Sequence, residues 1–429
     1  MSANQSNMSV PVINDIFSKL VVAYPNFEDL KNYLTSLGVK MNNKEGDPLV
    51  MFRYQRESAD MTNPVVRAFR SVVWDSIKNR PLFVGPQKSQ SMDTFPSDFT
   101  NHIVEEFVDG VMINMFMDPY KNTWRITTRS RLDAENKFYK HTFSELFFAT
   151  WTNYFPTGFS QLNPTCGYSF VLQHPLNRIV VPVAQPTLIL TEITMLDAAS
   201  NLFISPVPNT FMPPRRFAVT NPQDCQLLLT NMDQFEGIRS QGLVVRNLLT
   251  GQRWKMRTNI YMACRKLRGN HSQLEYVWFD NLKNNTLEQY LALYPEERVS
   301  ANAALANWTK VVSDIYNWYV HVFKLRDVGK ETIPVQYKGM LFDLHGQYMS
   351  RLAKEKKSLD WKEHQAIMAK QDLKRIVFLS TFKSGAAPPP SFQKRQKFMK
   401  KAQSKTPTDS QMPTDDQVAT LADEASMAL

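Results

Sequence analysis

Between about Pro64 and Thr258 the chain is a succession of short apolar and β-branched runs punctuated by turn residues, and this texture limits its fold more than any other feature. Residues 65–75, 82–87, 102–106, 111–115, 124–128, 168–173, 187–194, 242–246 and 253–257 each predict a strand. One stretch among them, 136–151, has helical spacing instead. Many strands with few helices predict an antiparallel α+β domain, not a doubly wound parallel sheet. After Gly269 the pattern turns helical through Phe382. Trp308, Val311, Val312, Ile315, Trp318, Tyr319 and Val322 recur at three-to-four spacing, the signature of a core-facing stripe rather than a platform for stacking bases. The predicted organisation is an N-terminal helical and turn segment (1–50), a β-rich core (51–269), a helical C-terminal domain (270–383) and a tail (384–429). The tail combines Pro388–Pro390 with Lys394, Arg395, Lys397, Lys400, Lys401 and Lys405, too little apolar surface to fold. It is expected to be disordered and to serve as a nuclear-import, RNA-binding or protein-contact segment, or simply to keep the chain in solution.

The 50 Lys+Arg exceed the 40 Asp+Glu, which favours an acidic partner such as RNA or a nucleotide without requiring one. Lys354, Lys356 and Lys357 add a basic patch that suits a phosphate backbone or a solvated helix face. Three scattered cysteines, Cys166, Cys225 and Cys264, give neither a disulfide framework nor a zinc spacing, so a reducing compartment is expected. No signal-peptide pattern opens the chain, and its most apolar stretch is broken by Pro182 and Pro186. A soluble intracellular protein without membrane contact is expected, in the host cytoplasm or a virion, with the nucleus as an alternative.

No GxxxxGK[ST] loop, GxSxG elbow, HExxH pair or CxxC is present. Short motifs do occur in a fixed order. Tyr54 is followed by Asn63-Pro64 and by Arg70-Ser-Val-Val-Trp-Asp75, then by Pro86-Gln-Lys88. Next come Val104-Glu-Glu-Phe-Val-Asp109-Gly110 and Ile126-Thr-Thr-Arg129-Ser130. The most specific is Gly167-Tyr-Ser-Phe-Val-Leu-Gln-His-Pro-Leu-Asn-Arg-Ile-Val-Val181. Ser240-Gln241-Gly242-Leu-Val-Val245 and Trp254-Lys255-Met-Arg257 with Tyr261 complete the set. This series resembles the RNA ligase branch of the covalent nucleotidyltransferases, of the phage and large-virus type, over about residues 50–270.

The resemblance implies a β-rich nucleotidyltransferase-like core in which a lysine amine attacks ATP and passes AMP to an RNA 5′-phosphate. In that family the nucleophile motif reads Lys-x-Asp/Glu-Gly. Here Phe107 stands at the lysine position, and a phenyl ring is no nucleophile. The family's strand glutamate is Val171 and the glutamate of its Glu-Gly motif is Gln241, both poor ligands for a divalent cation. What the resemblance leaves is a phosphate-gripping set: Arg70, Lys88, Asp109, Arg129, Lys255 and Arg257. The expectation is a catalytically inactive, RNA ligase-like viral factor that binds RNA ends or nucleotide phosphates, with no metal and no cofactor. One alternative is an active ligase using ATP and Mg²⁺ with Lys88 as displaced nucleophile. Another is a viral structural or scaffold protein reusing the fold.

Overall fold

The computed structural model describes residues 12–55 and 57–382. They divide into two compact units, one ending at Ser272 and the other beginning at Gln273. The expected tail lies outside the described residues. Among these, no helix is long and apolar enough to cross a membrane.

The first unit is α+β with every strand pairing antiparallel. Strands β1 (Val39–Asn43), β2 (Leu49–Tyr54), β3 (Val72–Asp75) and β4 (Arg80–Val84) form one sheet in that order. Helices α1 (Ile16–Ala23) and α2 (Phe27–Ser36) share its core through Phe17, Leu20, Leu30 and Leu34, against Phe52, Phe69 and Trp74. The strand expected over 65–75 is a correction, because its first half is helical. Pro64 opens α3 (Pro64–Ala68), and the Asn63 side chain accepts from the Val65 amide at 2.9 Å. A capped turn with proline at its first position outcompetes the β-branched pair Val65-Val66.

Strand β5 (His102–Glu106) belongs to a third sheet. The second is built from β6 (Val111–Asp118), β7 (Thr123–Thr127), β8 (Cys166–Gln173), β9 (Thr187–Leu196) and β10 (Leu202–Ser205), in the order β10-β9-β8-β6-β7. Ile113 and Met115 of β6, Tyr168 and Phe170 of β8 and Leu190 of β9 pack on α4 (Phe143–Tyr154). That helix starts later than the spacing predicts because Thr142 and Glu145 form a reciprocal capping box. By alternation, Asn114, Ser169 and Val171 occupy the opposite face. The third sheet runs β11-β5-β12-β13, with β11 (Arg216–Phe217), β12 (Gly242–Asn247) and β13 (Arg253–Arg257). Helix α5 (Pro222–Asn231) covers one of its faces, and α6 (Asn259–Arg268) follows β13.

The second unit is helical: α7 (Leu274–Lys283), α8 (Leu287–Leu293), α9 (Arg298–Tyr319), α10 (Val335–Gln347), α11 (Trp361–Ala369) and α12 (Leu373–Thr381). Val311, Val312, Ile315 and Tyr319 of α9 are buried together with Val322, and Trp308 and Trp318 pack at the edge. The stripe read from the sequence is therefore core.

Candidate functional site

Strand β13 alternates between two kinds of surface. Trp254 and Met256 join Val104, Cys225, Leu229, Leu243 and Val245 in an apolar cluster. Arg253, Lys255 and Arg257 consequently point the other way. Register places Arg246, Val244 and Gly242 of β12 opposite these three, and Glu105 of β5 opposite Val244. With Arg216 of β11 opposite Glu105, one face of the sheet thus carries a carboxylate and five cations. Phe107, just past β5, donates its amide to the Gly242 carbonyl at 2.8 Å. Gly242 has φ +139°, and a Cβ there would meet the Met256 carbonyl oxygen at 2.0 Å. Only glycine lets the strands close at this point.

The Phe107 ring lies within this charged face. The Lys255 amine is 4.5 Å from the ring centroid and the Arg257 guanidinium carbon is 5.0 Å away. A phenyl face attracts each cation, by about 2 kcal/mol where water is excluded. The position that the resemblance assigns to a lysine nucleophile therefore holds a neutral partner for two cations.

Asp109, two residues on, is buried and pinned. One carboxylate oxygen accepts from the Val180 and Val181 amides at 3.0 and 2.9 Å, and the other accepts from the Tyr261 hydroxyl at 2.8 Å. The Pro-x-Asn-Arg-Ile-Val segment makes this possible. Pro175 starts a short turn in which His174 Nδ1 accepts from the Leu176 amide at 3.1 Å, and the Arg178 guanidinium donates to the Val180 carbonyl. Gly110 is needed for close approach, since a Cβ would sit 2.6 Å from both the Leu172 carbonyl oxygen and Val171 Cγ1. Burial pushes the Asp109 carboxyl above its ordinary pKa, against the pull of the amides and Tyr261.

Two electrostatic environments meet on this face. In the first, Glu192 of β9 accepts from Arg253, with Arg246 3.9 Å away. Glu105 accepts from Arg246 at 3.2 Å and from Arg216 at 3.1 Å. Glu105, Glu192, Arg246 and Arg253 are all at most 6% exposed, and they tie the second sheet to the third. In the second environment the cations face one another. Burial, followed by repulsion from Arg70, Arg253, Arg257 and Arg265, brings the Lys255 amine well below the usual lysine range. Burial and then Arg129 bring Arg70 down to about 10. Burial and Arg265 lower Arg257 as well.

Of the residues singled out in the sequence, Arg70, Lys255 and Arg257 come together, and Arg129 acts on Arg70 while lying 4.9 Å from the Tyr54 ring. Asp109 adjoins Arg257 electrostatically. Lys88 lines a cavity of about 610 Å³ with Arg67, Gln87, Gln90 and Gln252, and none of the residues around Phe107 is in that wall. Its segment is nevertheless fastened to the site, because Arg70 donates to the Pro86 carbonyl at 3.1 Å and the Gln90 amide donates to the Arg253 carbonyl at 2.7 Å. Sequence reasoning missed Arg253, Glu192 and Arg265. Arg253 was legible, since it shares the period-two face of Lys255 and Arg257. Glu192 and Arg265 carry no local signal.

The donor set does not fit a divalent cation. Val171 offers no ligand and Gln241 offers a neutral amide. The buried carboxylates nearby are engaged: Glu192 and Glu105 by arginines, Asp109 by two amides and Tyr261. The set does fit an anion. Arg253 Nε and Arg257 Nε are buried donors without an acceptor among the described residues, and a buried N–H normally has one.

No family model matches the chain. Over 108 residues it is 29% identical to an RNA ligase of Rhodothermus phage RM378, a stretch amounting to 23% of this chain and 24% of that ligase. The match thus spans about a quarter of the relative's length. Among solved structures, it is similar to an archaeal ATP-dependent RNA ligase in form 1, at 10% identity and TM-score 0.41, covering 61% of this chain and 68% of that one. Form 2 gives 11% identity and TM-score 0.40, covering 69% and 82%. A Naegleria gruberi RNA ligase with PPi gives 13% identity and TM-score 0.33, covering 43% and 58%. The proteins that this chain is similar to are RNA ligases, in sequence over about a quarter of its length.

Proposed function

We propose that this RNA ligase-like protein holds the terminal phosphates of an RNA end or a nucleotide in the cationic cradle around Phe107, without attaching AMP to itself. The observation that carries the reading is the pair Lys255 and Arg257 flanking a phenyl ring where a nucleophile would stand. Arg70, Arg253, Arg257 and Arg265 crowd Lys255, and an anion would relieve their mutual repulsion. Arginine forks suit phosphate oxygens, and the lysine adds a point charge. Arg129 and Lys88 are the proposed contacts for the chain beyond the terminal phosphate. The phage origin of the sequence relative supports reading this protein as a viral factor too.

The test is anisotropy of labelled single-stranded RNA, with and without a 5′-phosphate, at several salt concentrations on the full chain. The phosphorylated end is expected to bind more tightly. Replacing Lys255 and Arg257 together by Ala is expected to weaken binding and to flatten the log–log salt dependence by roughly 1–2, since two phosphate contacts vanish. Equal affinity of the double variant and the parent would remove binding from this site.

A displaced nucleophile is the second reading, and one observation favours Lys255 for it. Its amine stands 4.5 Å from the Phe107 ring and is held below the usual lysine range by burial, so its neutral form is more populated than usual. Incubation with α-labelled ATP and Mg²⁺ or Mn²⁺, then denaturing electrophoresis, is expected to show no label. Label lost in Lys255→Ala, or in Lys88→Ala, would establish the second reading in place of the first.

A further inference from the structure

The cradle is unbalanced in a way that bears on the form of its ligand. Five cationic side chains, Arg70, Arg253, Lys255, Arg257 and Arg265, lie close enough for repulsion to lower the Lys255 amine. Arg253 is the one among them, within the described residues, that forms an ion pair with a carboxylate. A polyphosphate carried in with Mg²⁺ would bring two positive charges into this group. Mg²⁺ demands a near-octahedral shell of hard oxygens and sheds its water reluctantly. The site offers it Gln241, a buried neutral amide whose oxygen has no partner among the described residues, and the apolar Val171. What the site has in excess is donors, since the Nε groups of Arg253 and Arg257 are buried without acceptors among the described residues. Donors are satisfied by phosphate oxygens and not by a metal.

We infer that the cradle takes a terminal polyphosphate as the free anion, without an accompanying divalent cation, and that Arg257 and Arg265 supply the charge a metal would otherwise bring. This rests on the phosphate-binding reading above and narrows it to a ligand form. Two sources share the chemistry, a free nucleoside triphosphate and the 5′-triphosphate end of an RNA. Phosphates bridged to Mg²⁺ carry less charge for the arginines to meet, so the metal acts as a competitor.

The experiment is calorimetric titration of the full chain with ATP, with a 5′-triphosphorylated oligoribonucleotide and with inorganic tripolyphosphate, each in EDTA and in excess Mg²⁺. Binding is expected in EDTA and to be roughly tenfold weaker in Mg²⁺. The tighter of ATP and the oligoribonucleotide names the source, and either supports the inference. Arg265→Gln, on the partly exposed surface of α6, is expected to weaken binding in EDTA and to shrink the difference between the two conditions. Binding that requires Mg²⁺, or is equal with and without it, overturns the inference while leaving the phosphate site standing. Absence of binding by all three ligands under both conditions overturns the phosphate site itself, and this inference with it.

Discussion

The two ends of β13 hold the same kind of side chain in opposite circumstances. At its start, Arg253 meets Glu192, and the neighbouring Arg246 meets Glu105 and Glu192, so buried charge is matched by buried charge. At its end, Lys255 and Arg257 meet a phenyl ring and one another, and among the described residues no carboxylate forms an ion pair with either. The first arrangement matches its charges within the protein and joins two sheets. The second leaves its cations facing one another, without a carboxylate among the described residues to offset them. A buried cation can thus belong to the scaffold or to a site, and the identity of its nearest partner decides which.

The comparison is broken most directly at the matched end. Glu192→Gln leaves Arg253 and Arg246 buried with an uncompensated charge, and a stability loss of about 3–5 kcal/mol is expected by urea unfolding. A loss below about 1 kcal/mol would show that the quartet is not the tie between the sheets. A smaller effect is expected at the pin beneath Phe107. Asp109→Ala strips the acceptor from the Val180 and Val181 amides and from the Tyr261 hydroxyl, costing about 2–3 kcal/mol. Asp109→Asn keeps an oxygen for the two amides and removes a buried charge, so its melting temperature should stay close to that of the parent. If the two variants fall together, the carboxylate's charge matters and not only its acceptor capacity.

The smallest effect sharpens the unmatched end. Lys255→Met removes a buried cation that has no carboxylate partner among the described residues, and the ligand-free protein is expected to gain about 1 kcal/mol. The sign of the pH dependence follows from the lowered amine. Between that lowered pKa and the ordinary lysine value of 10.5, the unfolded chain binds more protons than the folded one. Stability of the parent therefore climbs with pH over that window, and the methionine variant loses this climb. Parallel stability curves for the two proteins would mean that Lys255 is charged in the fold as it is in the open chain.

Much of the scaffold was legible. Strands β5 to β9, β12 and β13 lie where the sequence predicts them within a few residues, because each carries β-branched or aromatic residues between turn signals. Strand β1 was hidden because it is a mostly exposed, polar run of Val-Lys-Met-Asn-Asn that shows no alternation. Strand β2 was hidden for the opposite reason: Leu49 to Phe52 are buried in succession, and an unbroken apolar run has no period. Strand β11 is two residues long and leaves no pattern. Of the site, the cations of β13 and the substitutions at Phe107, Val171 and Gln241 could be read directly. Their surroundings could not.

By itself the sequence determined the antiparallel α+β class, the helical second half, and a strand whose alternate residues are Arg253, Lys255 and Arg257. These follow from interactions two to four residues apart, which the chain carries locally. Tertiary structure alone decided which of those cations is neutralised. Glu192 reaches Arg253 from another sheet, 61 residues away along the chain. Asp109 is held by amides 71 and 72 residues on and by a hydroxyl 152 residues on. Charge pairing over such separations depends on how sheets pack face to face and on their register, and no local periodicity encodes either.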